Sequence, residues 1–369
     1  MSVYDQIDPE TADLLARFGF DEARFEALSA RVATRDLSPE TTVLAGTIEP
    51  PLPGDLTVLP APGAEAYDAA RETGLEALRA GKVAQVVLCG GMATRFGGVV
   101  KGVVEVFEGR SFLDVKLGET ARLGRAANAD VPVALMTSFA TDATVRGHVA
   151  ALDVPSPEIF SQFISLRLEP DGTLFHGEDG LASPYSPGHG DLFEALERSG
   201  ALERFRELGV EQLAVSNVDN LGARLDPVVI GAHLIAGKPL TVEVTTKDGD
   251  AGGAPARVDG RLRLVEGVCF PPDFDQDSIP VFNTNTSVFS VEAAPHGRDL
   301  TWLYVEKLVD GRLAVQLERL YHELSDKVAT TYLVVPRRGT SGRFMPVKVP
   351  ADVERVEPDL AELLAAPPF

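Results

Sequence analysis

Four short apolar runs recur through the middle of the chain: VAQVVL (83–88), PVALM (132–136), QLAVS (212–216) and LTVEV (240–244). Each is short and largely apolar, as expected of strands in a covered sheet. Segments with helical spacing lie between them, at 111–127, 140–152, 190–207 and 226–236. Strands that alternate with helices run parallel, because each helical crossover returns the chain to the same end of the sheet. The expectation is therefore an α/β fold, with a mixed, mostly parallel sheet flanked by helices. Residues 256–290 read as a β-rich return through the turn PPDFDQDSIP, residues 299–328 read as helix, and TTYLVVP and RFMPVKVP form a final strand-like pair around RRGTSG.

Before this pattern, PETADLLARFGF and DEARFEALSARV read as short amphipathic helices opened by acids. The Pro/Gly-rich stretch from Gly46 to Gly63 reads as an extended linker, and the helix AEAYDAARETGLEALRAG ends at Gly81 in a C-cap. The division expected is a helical arm and linker over 1–81, a core over 82–295 and a C-terminal segment over 296–369. At 369 residues the chain is long enough for one large α/β domain with appendages, or two to three domains.

The net charge of −21 repels nucleic acid and anionic lipid, so neither is an expected partner. An anionic ligand must then be met by a local cluster of cations or backbone N–H groups. Two cysteines, Cys89 and Cys269, stand at no metal or redox spacing. The acidic N-terminus lacks a signal-peptide pattern, and no apolar run reaches the ~20 residues that span a bilayer. These features predict a cytoplasmic protein that does not enter a membrane.

The first apolar run leads into LCGGMATRFGGVVKG (Leu88–Gly102), which holds five glycines in fifteen residues together with Arg95 and Lys101. In an open parallel sheet, ligands sit beyond the carboxyl ends of the strands. Glycines there let backbone N–H groups approach an anion, and a following helix N-terminus adds its dipole. The loop reads as a phosphate cradle. It is neither a P-loop, which needs GxxxxGK[ST], nor the dinucleotide fingerprint, which needs GxGxxG.

The same stretch resembles the signature of sugar-nucleotide pyrophosphorylases, in which Gly-Gly and a nearby Thr-Arg are followed several residues later by Pro-Lys. The lead-in GLEALRAGKVAQVVL is similar to the N-acetylhexosamine and broad UDP-sugar branches. FLDVKLGE, VPVALMTSFATDATV, SPGHGDLFEALERSGAL, LAVSNVDNLGARLD, VEVTTKD, VFNTNTSVFS and RFMPVKVPADV resemble the eukaryotic-type UTP–glucose-1-phosphate uridylyltransferase family, in family order from about residue 74 to 355. The resemblance implies a GT-A-like, Rossmann-related catalytic domain. The activity it implies is nucleotidyl transfer from UTP to a sugar 1-phosphate, yielding a UDP-sugar and pyrophosphate. Glucose 1-phosphate is the expected acceptor, with N-acetylhexosamine, galactose or a sugar-like cyclitol phosphate as alternatives. Oligomeric state is left open, since the family's C-terminal β-helix has no counterpart before Phe369.

Carried over residue by residue, the resemblance assigns Lys101, Lys348 and Arg95 to the phosphates, although Val100 replaces the proline before Lys101. Leu88, Gly90 and Gly91 line the nucleotide, Gln162 reads the uracil edge, and Gly188 and His189 sit by the base and α-phosphate. An amide suits uracil because it both donates and accepts. Asp219, at a strand's carboxyl end, is the expected ligand of Mg2+, which favours hard oxygens shared with phosphates. Asn217, Lys247, Asn283 and Asn285 are expected at the sugar phosphate, with Asn217 and Asn220 shaping the turn. His189 is expected to contribute positioning and charge rather than proton abstraction, since a sugar phosphate is already ionised. His322 and the remaining histidines carry no motif. Two anionic reactants repel, so catalysis must rest on charge neutralisation and alignment. The alternative is a nucleotide-sugar binding protein without turnover.

Overall fold

The computed structural model describes residues 2–93 and 98–369. The N-terminal arm forms where its caps dictate. Asp8 and Asp21 each accept a backbone N–H from the first turn of helices α1 (Pro9–Arg17) and α2 (Glu22–Ala33). The apolar faces of both, including Leu15, Phe25 and Leu28, bury against Ile164, Leu166, Tyr304 and Leu317.

The centre is an eight-stranded sheet. Its members in chain order are β1 (Leu56–Val58), β2 (Val83–Leu88), β3 (Val133–Thr137), β4 (Glu158–Ser161), β5 (Gln212–Asn217), β6 (Leu240–Thr246), β7 (Val281–Ser290) and β8 (Thr330–Val334). Across the sheet the order is β1-β8-β6-β7-β5-β2-β3-β4. Every pairing is parallel except those of β7, which runs antiparallel to both β5 and β6. All six residues of β2 are buried, as a strand covered on both faces requires. The α/β expectation is met, and the crossover helices Phe112–Ala127, Asp142–Val149 and Pro227–Ala236 lie where the periodicity put them.

Three local readings are corrected. Residues 299–328 do not form one helix. They contain a hairpin, Leu303–Val309 paired with Arg312–Glu318, which turns at Asp310-Gly311 with both φ angles positive. Asp-Gly is a two-residue hairpin signal, and it overrides the helical spacing of the flanking leucines. The helix expected at 190–207 is two helices, Leu192–Arg198 and Ala201–Glu207, broken at left-handed Gly200. The stretch 46–63 is more than a linker, because Ile48–Glu49 pairs with Val258 and Arg257 and β1 closes one edge of the central sheet. The boundary at 82 therefore cuts within the sheet, and so does the one at 296, because β8 also belongs to it.

One buried ion pair fixes the C-terminal segment. Arg343 grips both carboxylate oxygens of Glu243 on β6, at 2.6 and 2.7 Å, with Asp226 at 3.2 Å. The Arg343 and Glu243 side chains are only 3% and 1% exposed. A buried pair of this kind adds little net stability but is costly to break one-sidedly.

Candidate active site

The carboxyl ends of β2, β3, β4 and β5 meet at an open cleft of about 310 Å3. In register, Leu88 ends β2 beside Asn217 at the end of β5, so the glycine loop and the SNVDN turn leave the sheet side by side. Ser138, just past β3, donates to the Gly90 carbonyl at 2.8 Å and holds the loop down. Gln162, just past β4, donates its N–H to Thr137 at 3.0 Å. Its side-chain amide faces the cleft and is hydrogen-bonded to none of the described residues.

Among the described residues the glycine loop does not lead into an α-helix. Met92 and Ala93 pair with Val100 and Val99, and a single 3-10 turn, Lys101–Val103, follows. Among the described residues the next α-helix starts only at Phe112, and none of them brings a helix N-terminus from this loop to the cleft. The expected dipole contribution has no source among the described residues. Backbone N–H groups and Lys101 are what the described part of the loop offers an anion. Arg95 falls outside the described residues.

Lys101 Nζ and Asp219 Oδ2 stand 2.6 Å apart, with side chains 13% and 26% exposed. Opposite charges in this partly dried position hold each other strongly. Asn220, buried behind Asp219, donates to the Arg343 carbonyl at 3.1 Å and accepts from the Met345 N–H at 2.8 Å. The Val347 N–H reaches the Asp219 carbonyl at 3.0 Å, so the C-terminal segment is pinned directly behind the SNVDN turn.

On the opposite wall, β7 carries a bulge opposite Glu243/Val244, where Asn285 takes φ +58°. Bulges re-aim side chains next to sites. Here the bulge turns the Asn285 amide onto Asn217, Nδ2 to Oδ1, at 2.6 Å. Asn283 stays on the strand, its side-chain oxygen accepting from the Asn285 N–H at 3.0 Å, and is not among the cleft-lining residues.

His189 lies on the 3-10 turn after Gly188, whose φ is +95°. Its Nδ1 accepts the Tyr321 N–H at 3.2 Å, which leaves the proton on Nε2. Burial pulls the imidazole down to about 4, so at neutral pH it is an uncharged donor. The expectation that His189 supplies charge is corrected: it can supply an N–H, while among the described residues of the cleft the cation is Lys101.

Two lysines stand elsewhere. Lys247 Nζ is taken up by the Gln276 carbonyl, away from the cleft. Lys348 is exposed and lines a neighbouring cleft with Arg337, Arg338 and Arg355. Leu88, Gly90, Gly91, Lys101, Gln162, Gly188, His189, Asn217, Asp219 and Asn285 are brought together; Lys348, Lys247 and Asn283 are not.

Sequence reasoning missed Glu266 and His322. The His322 ring packs edge-on against His189, centroids 5.4 Å apart, and neither of its nitrogens has a hydrogen-bond partner among the described residues. Glu266 Oε1 is 3.8 Å from His322 Nδ1, and burial pushes its carboxyl up to about 7. No local motif marks either residue, because they are joined only by the return of the chain after the hairpin. Lys116 was also missed. Fully buried below the SNVDN turn, it donates to the Ala223 carbonyl at 2.6 Å, and burial lowers its ammonium to about 7.

A strand-end cleft with an amide, an imidazole donor and a Lys–Asp pair is built for an anionic ligand with a polar planar head. The sequence model for UTP--glucose-1-phosphate uridylyltransferase matches residues 54–365. The chain belongs to this family.

Among relatives, the UTP--glucose-1-phosphate uridylyltransferase of Saccharomyces cerevisiae is 32% identical over 305 residues, covering 76% of this chain and 60% of that protein. The chain spans about 60% of the length of the first curated relatives it matches. Its fold is similar to that of the UDP-N-acetylglucosamine pyrophosphorylase of Trypanosoma brucei, solved with an inhibitor. The TM-score is 0.75 at 20% identity, over 89% of this chain and 75% of that one. It is equally similar to a variant of UDP-glucose pyrophosphorylase from Leishmania major, solved with UDP-glucose. There the TM-score is 0.74 at 23% identity, over 95% of this chain and 79% of that one. The fold is thus common to enzymes named for two different sugars.

Magnesium would have to be held sparsely. Among the described residues no three His, Cys, Asp or Glu side chains form a cage. One carboxylate, Asp219, fits Mg2+ that completes its shell with phosphate oxygens and water. No helix among the described residues is long and apolar enough to cross a membrane.

Proposed function

We propose that the protein is a UTP–sugar-1-phosphate uridylyltransferase, with glucose 1-phosphate as the acceptor and UDP-glucose and pyrophosphate as products. The observation that carries this reading is the meeting of Gln162, His189, Lys101 and Asp219 in one cleft of a chain that belongs to the UTP–glucose-1-phosphate uridylyltransferase family. The Gln162 amide pairs with the donor and acceptor edge of uracil. The neutral His189 donates from Nε2 to the α-phosphate or ribose. The Asn217–Asn285 amides meet hydroxyls.

In the reaction an oxygen of the sugar phosphate forms a bond to the α-phosphorus while the bond to the β-phosphate oxygen breaks. Pyrophosphate leaves with the electron pair, and no proton need move. Lys101 turns from Asp219 to the triphosphate and offsets its charge, which leaves the carboxylate for a cation. Asp219 would hold Mg2+, which would supply charge neutralisation when bound. Alignment and charge are the contributions such transfers need most. The two cysteines, both free and buried, support a reducing, cytoplasmic setting.

The test is pyrophosphate release from each of the four nucleoside triphosphates crossed with glucose, galactose and N-acetylhexosamine 1-phosphates and a cyclitol phosphate. Turnover confined to UTP and glucose 1-phosphate is expected. Release with another base or acceptor alone overturns that substrate pair, and no release with any pair leaves a binding protein.

A further inference from the structure

Arg319 stands behind the cleft; its side chain hydrogen-bonds none of the residues assigned to the nucleotide, yet its contacts converge on them. It is 2% exposed. Its guanidinium forks between Asp191 at 2.6 Å and Glu194 at 2.7 Å, and it lies over the Trp302 ring with its central carbon 4.5 Å from the centroid. Asp191 is fully buried, and its second oxygen accepts the Phe163 N–H at 3.1 Å. That N–H belongs to the residue directly after Gln162, so the Arg319–Asp191 pair sets where the β4 strand end points its amide.

The Arg319 backbone grips the other half of the same wall. Its N–H donates to the Pro187 carbonyl, and its carbonyl accepts from the Gly190 N–H, each at 2.8 Å. Two residues on, the Tyr321 N–H fixes Nδ1 of His189. A Cβ on Gly190 would lie 2.4 Å from the Arg319 carbonyl carbon, so the two segments are in direct backbone contact. Glu194 continues the charge chain outward, because its other oxygen takes Arg24 of helix α2 at 3.0 Å.

We propose that Arg319 is the positioning residue of the nucleobase wall, holding Gln162 and His189 in register and tying both, through Glu194 and Arg24, to the N-terminal arm. This rests on the reading of the cleft as a UTP site. A purely structural arginine would be felt equally by both substrates when lost. A positioning residue on this wall is felt by the nucleotide alone, because its contacts end at the base side of the cleft.

The experiment compares R319M, R319K and R24M with the wild type. It reads circular dichroism for folding, KM for UTP and for glucose 1-phosphate, kcat, and the ratio of UTP to GTP use. Folded R319M is expected to raise the UTP KM about tenfold, the equivalent of two net hydrogen bonds. It is also expected to lower the UTP-to-GTP ratio while leaving the sugar phosphate KM within about twofold. R319K restores part of the loss, since an ammonium is a point charge that cannot fork between two carboxylates. Folded R319M with both KM values unchanged, or raised equally, overturns the proposal. If R319M does not fold, R319K and R24M decide, with a UTP-only rise of about threefold expected and an unchanged UTP KM in both refuting it. If the wild type turns over no pair, the functional reading has failed separately, and equilibrium dialysis of UTP against the same variants replaces KM. A wild type that binds no UTP sinks both.

Discussion

Replacing Gly90 by alanine puts a methyl against the amide proposed to read the base. A Cβ there would sit 2.4 Å from Gln162 Nε2, whereas ordinary contact begins near 3.4 Å, so the amide must retreat by 3.4 − 2.4 = 1.0 Å. Gln162 is an unbranched side chain and can yield, and Gly90 is not among the positive-φ glycines. Folding is therefore expected to survive with a melting temperature within a few degrees of the wild type. Binding is not spared, because a bond of ~2.9 Å stretched by that much no longer counts as one. Two such bonds to the uracil edge, each worth about 0.5–1.5 kcal/mol net, amount to about 1–3 kcal/mol. That predicts a rise in the UTP KM of roughly 5- to 150-fold, with the sugar phosphate KM unchanged. The assay is initial-rate pyrophosphate release, run also in a Q162A background as a double-mutant cycle. If the methyl acts through the amide, G90A adds nothing once Gln162 is gone. An equal rise in both backgrounds, or an unchanged KM in the wild-type background, refutes the reasoning.

Lys101→Ala removes a cation of the cleft and should lower kcat by ~100-fold or more, as loss of one preorganised donor does in other sites; unchanged turnover in the same assay counts against its role. Chelation by EDTA should stop turnover without moving the melting temperature, because Asp219 alone holds no structural ion; a lowered melting temperature would reveal a built metal site. Glu266 titrates near 7 in the folded protein against an ordinary 4.5, so the folded state binds more protons between these values and loses stability as pH rises through them. Glu266→Gln should flatten that loss in urea midpoints taken across the window; parallel curves for the two proteins refute it. Arg343→Met strands the buried Glu243 and should cost about 3–5 kcal/mol in denaturant unfolding; a loss below ~1 kcal/mol would mean the pair is relieved by water.

The element types were legible where a local period ruled. The buried run at 83–88 and the helix at 112–127 follow from side-chain spacing that any register of the sheet would keep. The hairpin at 303–318 was misread because leucines spaced for a helix outweighed the Asp-Gly turn in the reading, although the turn decides the backbone. Among site residues, those at the ends of β2, β4 and β5 were legible because strand ends in a parallel sheet deliver side chains to one edge. Lys247 and Lys348 were placed by motif alone. A loop carbonyl captures the first, and the second lines a neighbouring cleft.

By itself the sequence determined the central strands and the crossover helices, which loop is rich in glycine, and which donors and acceptors are available to a ligand. Only the tertiary structure decided which of them meet. Lys101 and Asp219 are 118 residues apart and come within 2.6 Å because β5 lies beside β2 with Asn217 level with Leu88. That order and register depend on long-range packing of both sheet faces, which no local pattern encodes. The charge of His189 is likewise a property of its surroundings. The residue type permits a cation, and burial under Tyr321 and His322 removes it.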